Sequence, residues 1–242
     1  MITVVLPTFA EADALRTLLP ALLSALDGAS MEAEVLVVDD ASPDGTADAA
    51  EALLGARGRV LRRRGRPGLS RAALEGIRAA KGDIVVLMDA DGEHPPALVP
   101  SLVRPLLDPA SWPCQGRADV AVASRFAPGG GIEGRSALRR ALSRAGAWLA
   151  RGAARRGGAD LRDPLSGFLA FRRSVVEGVP LGTLGFKIGL EVLSRGRYQG
   201  VVEVPYVHLE RSKGRSKFGL AAVFAFFLQI LLLRFSRRAE SA

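Results

Sequence analysis

The chain has 242 residues, 48% of them hydrophobic and 24% charged, with a formal net charge of +8. That hydrophobic share excludes global disorder, and the length accommodates one α/β domain with a short extension. The single cysteine, Cys114, excludes an internal disulfide and a zinc cluster, while the positive balance points to phosphorylated ligands, acidic lipid or nucleic acid.

Ile2–Leu6 opens the chain as a strand rich in valine and isoleucine, with no basic segment before it, so no secretory signal is expected. Ala12–Leu26 has helical spacing. Glu34–Val38 reads as a second buried strand, followed by Asp39 and Asp40, and Asp44-Gly45-Thr46 then supplies helix-start chemistry for Thr46–Leu54. Ser70–Ala80 is a further helical stretch. Ile84–Met88 and Val120–Ala123 read as strands, the first followed by Asp89 and Asp91, the second by Ser124 and Arg125. This alternation predicts an α/β fold with a Rossmann-like, mostly parallel sheet and helices on both faces, where ligands bind beyond the carboxyl ends of the strands.

The second half is less regular. Pro128–Gly134 is a glycine-rich loop. Ser136–Arg156 reads as a helix in which Leu138, Ala141, Leu142, Ala145, Trp148 and Leu149 alternate with Arg139, Arg140, Arg144, Arg151 and Arg155. Such a helix either lies on an anionic membrane or packs on the domain with a solvated basic face. Val201–Pro205 is a late strand, followed by a basic loop with Arg211, Lys213, Arg215 and Lys217. Phe218–Phe235 is apolar except for Gln229 and Arg234; as a helix it is about 27 Å long, marginal for a hydrocarbon core of about 30 Å. The expected division is therefore a domain over residues 1–217 and a membrane-associating C-terminal apolar helix with a basic tail over 218–242, either dipping into the bilayer or spanning it, with a buried core helix as the third reading.

The strongest chemical signal is Asp89-Ala90-Asp91-Gly92-Glu93 at a strand end. Carboxylates one residue apart on a turning backbone supply hard oxygens suited to Mg²⁺ or Mn²⁺, and such an ion could bridge the phosphates of a nucleotide-sugar. The alternative is an Asp-rich turn ahead of Pro95-Pro96. Asp39-Asp40 divides in the same way, between a turn and a carboxylate that bonds the base or ribose of a nucleotide. With only His94 and His208 present, no serine–histidine dyad is indicated. No recognition helix, zinc finger or aromatic–basic strand motif supports nucleic-acid binding.

Taken in order, these blocks resemble the family 2 glycosyltransferases of GT-A fold, and more narrowly the dolichol-phosphate (polyprenol-phosphate) mannose synthases. The matching segments are 6–11, 37–46, 68–70, 88–96, Ala123-Ser124-Arg125-Phe126, Asp163-Pro164-Leu165-Ser166-Gly167-Phe168, Gly185-Phe186-Lys187, Glu203-Val204-Pro205 and 211–217. The resemblance implies inverting transfer of a hexose, mannose from GDP-mannose, onto a polyprenyl or dolichyl phosphate at the cytoplasmic face of the membrane. It implies that Pro7, Phe9, Glu11, Val38, Asp40 and Ala90 surround the donor, joined by Lys187, Arg211 and Lys217, the last two from a closing loop. Asp89, Asp91 and Glu93 would hold the Mg²⁺ or Mn²⁺, and Arg125, Arg139 and Ser143 would receive the acceptor phosphate. The catalytic set would be Asp89, Asp91 and Arg125. Phe9, Ala10, Glu93 and Arg215 depart from the family's usual tyrosine, asparagine, glutamine and glutamate, which puts the sugar nucleotide in question more than the reaction class. A UDP-glucose donor, another membrane acceptor, and a noncatalytic nucleotide- or lipid-binding module are the competing readings.

Overall fold

A computed structural model describes residues 1–65, 68–108, 117–134, 136–182, 187–208 and 228–233, except for the side chains of Leu138 and Arg139. Strand β1 (Ile2–Thr8) leads to α1 (Ala12–Gly28), β2 (Ala33–Asp39), α2 (Thr46–Leu54), β3 (Gly58–Arg62), α3 (Leu69–Ala79), β4 (Ile84–Leu87) and α4 (Val99–Leu107). The second half adds β5 (Val120–Ser124), β6 (Gly131–Ile132), α5 (Ala137–Arg156), β7 (Leu169–Arg172), α6 (Ile188–Arg195), β8 (Val201–Pro205) and β9 (Val207–His208).

Seven strands form one sheet in the order β3-β2-β1-β4-β7-β5-β8, and β6 pairs with β9 apart from it. β7 runs antiparallel to both its neighbours, and every other pairing in the large sheet is parallel. Because both faces are covered, the inner strands read as unbroken apolar runs, with successive side chains going to opposite cores. Val5, Val38, Val85, Leu87 and Val122 face the core shared with α3, α5 and α6. Leu6, Val37, Val86, Met88 and Ala123 face the core shared with α1, α2 and α4. α3 closes tightly on β1 and β2 because Gly76 lacks a side chain: a Cβ there would stand 2.3 Å from Val5 Cγ1.

The strands expected at Ile2–Leu6, Glu34–Val38, Ile84–Met88, Val120–Ala123 and Val201–Pro205 are present with small shifts at their ends. β3 and β7 were not anticipated. β3 is a half-exposed edge strand carrying Arg59 and Arg62, which break its apolar run, and β7 has only four residues.

Most of the expected C-terminal helix lies outside the described residues. Its described part, 228–233, is helical and docks on the domain, with Leu233 buried in the α3–α5–α6 core and Ile230 packed against it. Leu233 and Ile230 thus join the core of the domain that precedes them. Among the described residues no helix is long and apolar enough to cross a membrane.

Candidate active site

The strand order reverses between β1 and β4, and the loops leaving the carboxyl ends of these two strands open a crevice there. Pro7, Ser70, Asp89, Gly167 and Lys187 line a cavity of about 60 Å³ at this point. Gly167 makes room for the acidic loop, because a Cβ there would meet Asp89 Oδ2 at 3.0 Å. Burial pushes the Lys187 ammonium below the usual lysine range, against the opposing pull of the Asp89 carboxylate. Lys187 and Asp89 are thus a cation and an anion facing one cleft, suited to a charged ligand.

The acidic loop is braced from below. Buried His94 stacks on Phe168 with ring centroids 4.9 Å apart, and its Nδ1 accepts the Asp89 N–H at 3.1 Å. Burial pushes His94 down to about 3, so the ring is neutral and Nδ1 stays an acceptor. Asp91 turns the loop by accepting the Glu93 N–H at 3.1 Å. Glu93 faces His208, whose Nε2 stands 3.3 Å from Glu93 Oε2 and whose Nδ1 bonds the Tyr206 hydroxyl at 3.1 Å.

Among the described residues no three His, Cys, Asp or Glu side chains stand close enough to hold an ion unaided. The expected trio of Asp89, Asp91 and Glu93 is therefore not assembled, because the turn at Asp91 delivers Glu93 to His208. The donor chemistry of Asp89 and Asp91 does fit Mg²⁺ or Mn²⁺ completed by phosphate oxygens, since Mg²⁺ is commonly held by one or two carboxylates plus substrate.

Arg125 leaves β5 beside this loop. Its Nε and Nη2 each donate to Asp163 at 2.7 Å, a two-pronged pair with Asp163 fully buried. Burial works against the charge of Arg125, and the bond to Asp163 more than compensates, raising the guanidinium above its usual range. Asp163 is itself placed by Glu203 of β8, whose Oε1 accepts the backbone N–H groups of Arg162 and Asp163, each at 3.0 Å. Asp163 and Glu203 were visible only as motif members without a role. What links them to Arg125 is the β5–β8 pairing, a contact between residues some 80 positions apart in the register Val122 to Glu203.

The other expected donor residues divide by depth. Phe9 is exposed and Glu11 half-buried on the loop after β1, where the Glu11 N–H donates to Thr46 Oγ1 at 3.0 Å. Val38 and Ala90 are buried in opposite cores, so only their backbones can face a ligand. Asp40 is also buried; its two oxygens take the Arg63 guanidinium and the Gly68 N–H, and Arg63 continues to Glu75 at 3.0 Å. That carboxylate ties the loop after β2 to the start of α3. Ser143 is half-buried on α5. The Arg139 side chain, Arg211 and Lys217 lie outside the described residues.

A doubly wound, mostly parallel sheet with an acidic loop at its switch point defines a GT-A-like fold. A model of the family "Glycosyl transferase family 2" matches residues 3–179, and the chain belongs to that family. A dolichol-phosphate mannosyltransferase of Pyrococcus furiosus is 37% identical over 233 residues, covering 96% of this chain and 63% of that protein's length. An undecaprenyl-phosphate mannosyltransferase of Micrococcus luteus is 33% identical over 223 residues, covering 88% of this chain and 85% of that protein. Among solved structures, glucosyl-3-phosphoglycerate synthase of Mycobacterium tuberculosis, in complex with Mn²⁺, uridine diphosphate and glucosyl-3-phosphoglycerate, superposes with a TM-score of 0.64. It is 24% identical, with 100% of this chain and 81% of that chain covered, a likeness of fold.

Proposed function

We propose that this chain transfers mannose from GDP-mannose to a polyprenyl or dolichyl phosphate, inverting the anomeric carbon, at the cytoplasmic face of a membrane. The observation that carries the reading is the convergence of Pro7, Asp89 and Lys187 on one crevice, with Arg125 held at its edge by Asp163. The named activities of the Pyrococcus and Micrococcus relatives support the choice of sugar and acceptor.

The acceptor needs no general base. A phosphate monoester has a second pKa of about 6, so much of it is dianionic at neutral pH and already nucleophilic. An acceptor oxygen attacks the anomeric carbon as the bond to the donor diphosphate breaks, and the electron pair leaves with the diphosphate. Arg125, fixed in one orientation by Asp163, offers its remaining donors to the acceptor phosphate, a task that suits a planar guanidinium. Arg139 and Ser143 on α5 share that phosphate. Lys187 lies against the leaving group, whose charge Arg211 and Lys217 help to neutralise. Asp89 and Asp91 would hold a divalent ion, Mg²⁺ or Mn²⁺, which would supply positive charge for the departing diphosphate. The work of the protein is alignment and charge stabilisation.

The test is a panel of nucleotide-sugars, GDP-mannose and UDP-glucose included, assayed against a short polyprenyl phosphate with Mg²⁺ or Mn²⁺. Transfer from GDP-mannose that falls at least 100-fold with chelator or with Asp91→Ala is the expected result, of the size lost when a charge-stabilising group is removed. Preference for UDP-glucose would reassign the donor, and undiminished turnover under chelation would overturn the metal role.

A further inference from the structure

Beside Phe126, a groove of about 330 Å³ is lined by Phe126, Arg144, Trp148, Arg151 and Arg162. The Phe126 ring is shared by two guanidiniums: Arg125 lies 5.3 Å and Arg144 6.0 Å from its centroid. Three guanidiniums therefore converge on one small volume. The nearby carboxylates are taken, Asp163 by Arg125 at 2.7 Å, Asp160 by Arg155 at 3.0 Å, and Glu203 by the backbone N–H groups of Arg162 and Asp163, each at 3.0 Å. Among the described residues no acid pairs with Arg144, Arg151 or Arg162, and Arg151 Nε is buried without a hydrogen-bond partner. Arg151 Nη2 donates to the Arg162 carbonyl oxygen at 3.4 Å, which ties α5 to the loop that follows it. Convergent like charges with an orphaned buried donor are unfavourable until an anion arrives.

The surroundings identify the source of that anion. With about 100° per residue, Ala141, Ala145, Trp148 and Gly152 fall on one stripe of α5. All four are exposed, Trp148 to 69%, and Leu142 and Leu149 border the stripe on its other side. The inner face of the helix is occupied by Ala147, Ala150, Ala153 and Ala154, buried in the core. The outward face of α5 thus carries an apolar stripe flanked by exposed arginines at 140, 144, 155 and 156. Residues 228–233 pack into the same core and expose Leu231 and Leu232. An apolar face with an aromatic ring and a guanidinium rim matches the boundary between lipid headgroups and acyl chains.

We propose that the Arg144–Arg151–Arg162 groove is an anion subsite for the phosphodiester headgroup of an anionic membrane lipid, separate from the acceptor phosphate at Arg125. Trp148 and the apolar stripe enter the acyl boundary as the headgroup seats in the groove. This places the mouth of the site against the bilayer, where a lipid-borne acceptor arrives. The proposal rests on the membrane-surface reading given above and adds to it a defined headgroup site.

The test uses the full chain with Trp112→Phe, leaving Trp148 as the sole tryptophan. Co-sedimentation and the Trp148 emission maximum are measured with phosphatidylcholine vesicles, with vesicles doped with phosphatidylglycerol, and with inorganic phosphate alone. The expected result is tight binding and a blue shift with phosphatidylglycerol only. The triple variant Arg144→Gln, Arg151→Gln, Arg162→Gln should lose on the order of 100-fold in that affinity, at roughly tenfold or less per cation near an anionic surface. It should still transfer to a short, water-soluble acceptor, and circular dichroism should show the same fold. A control removing equal charge elsewhere (Arg16→Gln, Arg78→Gln, Arg104→Gln) should lose far less. Equal vesicle affinity of the two triple variants overturns the groove but not membrane binding, whereas wild-type protein that binds no vesicle defeats the membrane reading itself. A full Trp148 shift with inorganic phosphate alone makes this a free-anion site. Loss of soluble-acceptor transfer with vesicle binding intact would assign the groove to the acceptor.

Discussion

Arg125 acts only as well as it is aimed, and its aim comes from two carboxylates outside the acidic loop. Asp163 takes two of its donors, and Glu203 sets the backbone that carries Asp163. Asp163→Asn keeps the shape and removes the charge, so the guanidinium can swing away or compete for the acceptor differently. A charge-assisted hydrogen bond of about 1.5–3 kcal/mol corresponds to a fall of roughly 10- to 100-fold in kcat/KM. The expected signature is a rise in KM for the polyprenyl phosphate with little change in KM for the nucleotide-sugar. Equal changes in both would mean that the pair serves folding alone. The aspartates at 89 and 91 were legible because two acids beside a buried apolar run are conspicuous in one dimension. Asp40 was equally conspicuous; its pairing with Arg63, 23 residues away, is revealed only by the folded chain.

At the scale of elements, residues 228–233 show what an apolar run leaves undecided. Within the 18-residue run that contains them, the central polar residue Gln229 is buried together with Leu233. Gln229 Nε2 donates to the Lys187 carbonyl oxygen at 3.1 Å, and its Oε1 is buried without a partner among the described residues. Leu231 and Leu232 are exposed. The stretch therefore fastens the start of α6 from outside, at the residue that faces Asp89. Gln229→Leu loses one hydrogen bond but also removes an unsatisfied buried carbonyl, so urea unfolding should shift by no more than about 1 kcal/mol. Donor KM should rise several-fold as Lys187 loses its anchor. A large stability loss with unchanged donor KM would show that the bond matters only to packing.

For the whole molecule, 33 basic and 25 acidic residues leave a net charge of +8. The apolar outer stripe of α5 and the leucines at 231 and 232 lie on the same side of the sheet. Charge and apolar contact together predict membrane recovery that falls in part with salt, because surface attraction is screened over about 10 Å at 0.1 M, while contact with the acyl boundary persists. Fractionation of cells should find the protein with membranes at low salt, partly released by a high-salt wash. Full recovery in the soluble fraction at low salt would contradict a membrane-surface role.

The α/β class, the parallel core strands, the acidic loop and its place after a buried strand were all determined by local sequence, since valine-rich runs and turn-forming acids declare themselves within a few residues. Tertiary structure alone decided that β7 enters the sheet antiparallel between β4 and β5, that Glu203 and Asp163 stand behind Arg125, and that Glu93 turns to His208. It also brought Phe126, past the end of β5, onto one groove with arginines of α5 and of the loop that follows it. Each of these depends on pairings between residues far apart in the chain, and no periodicity within a single segment encodes which distant surface it will meet.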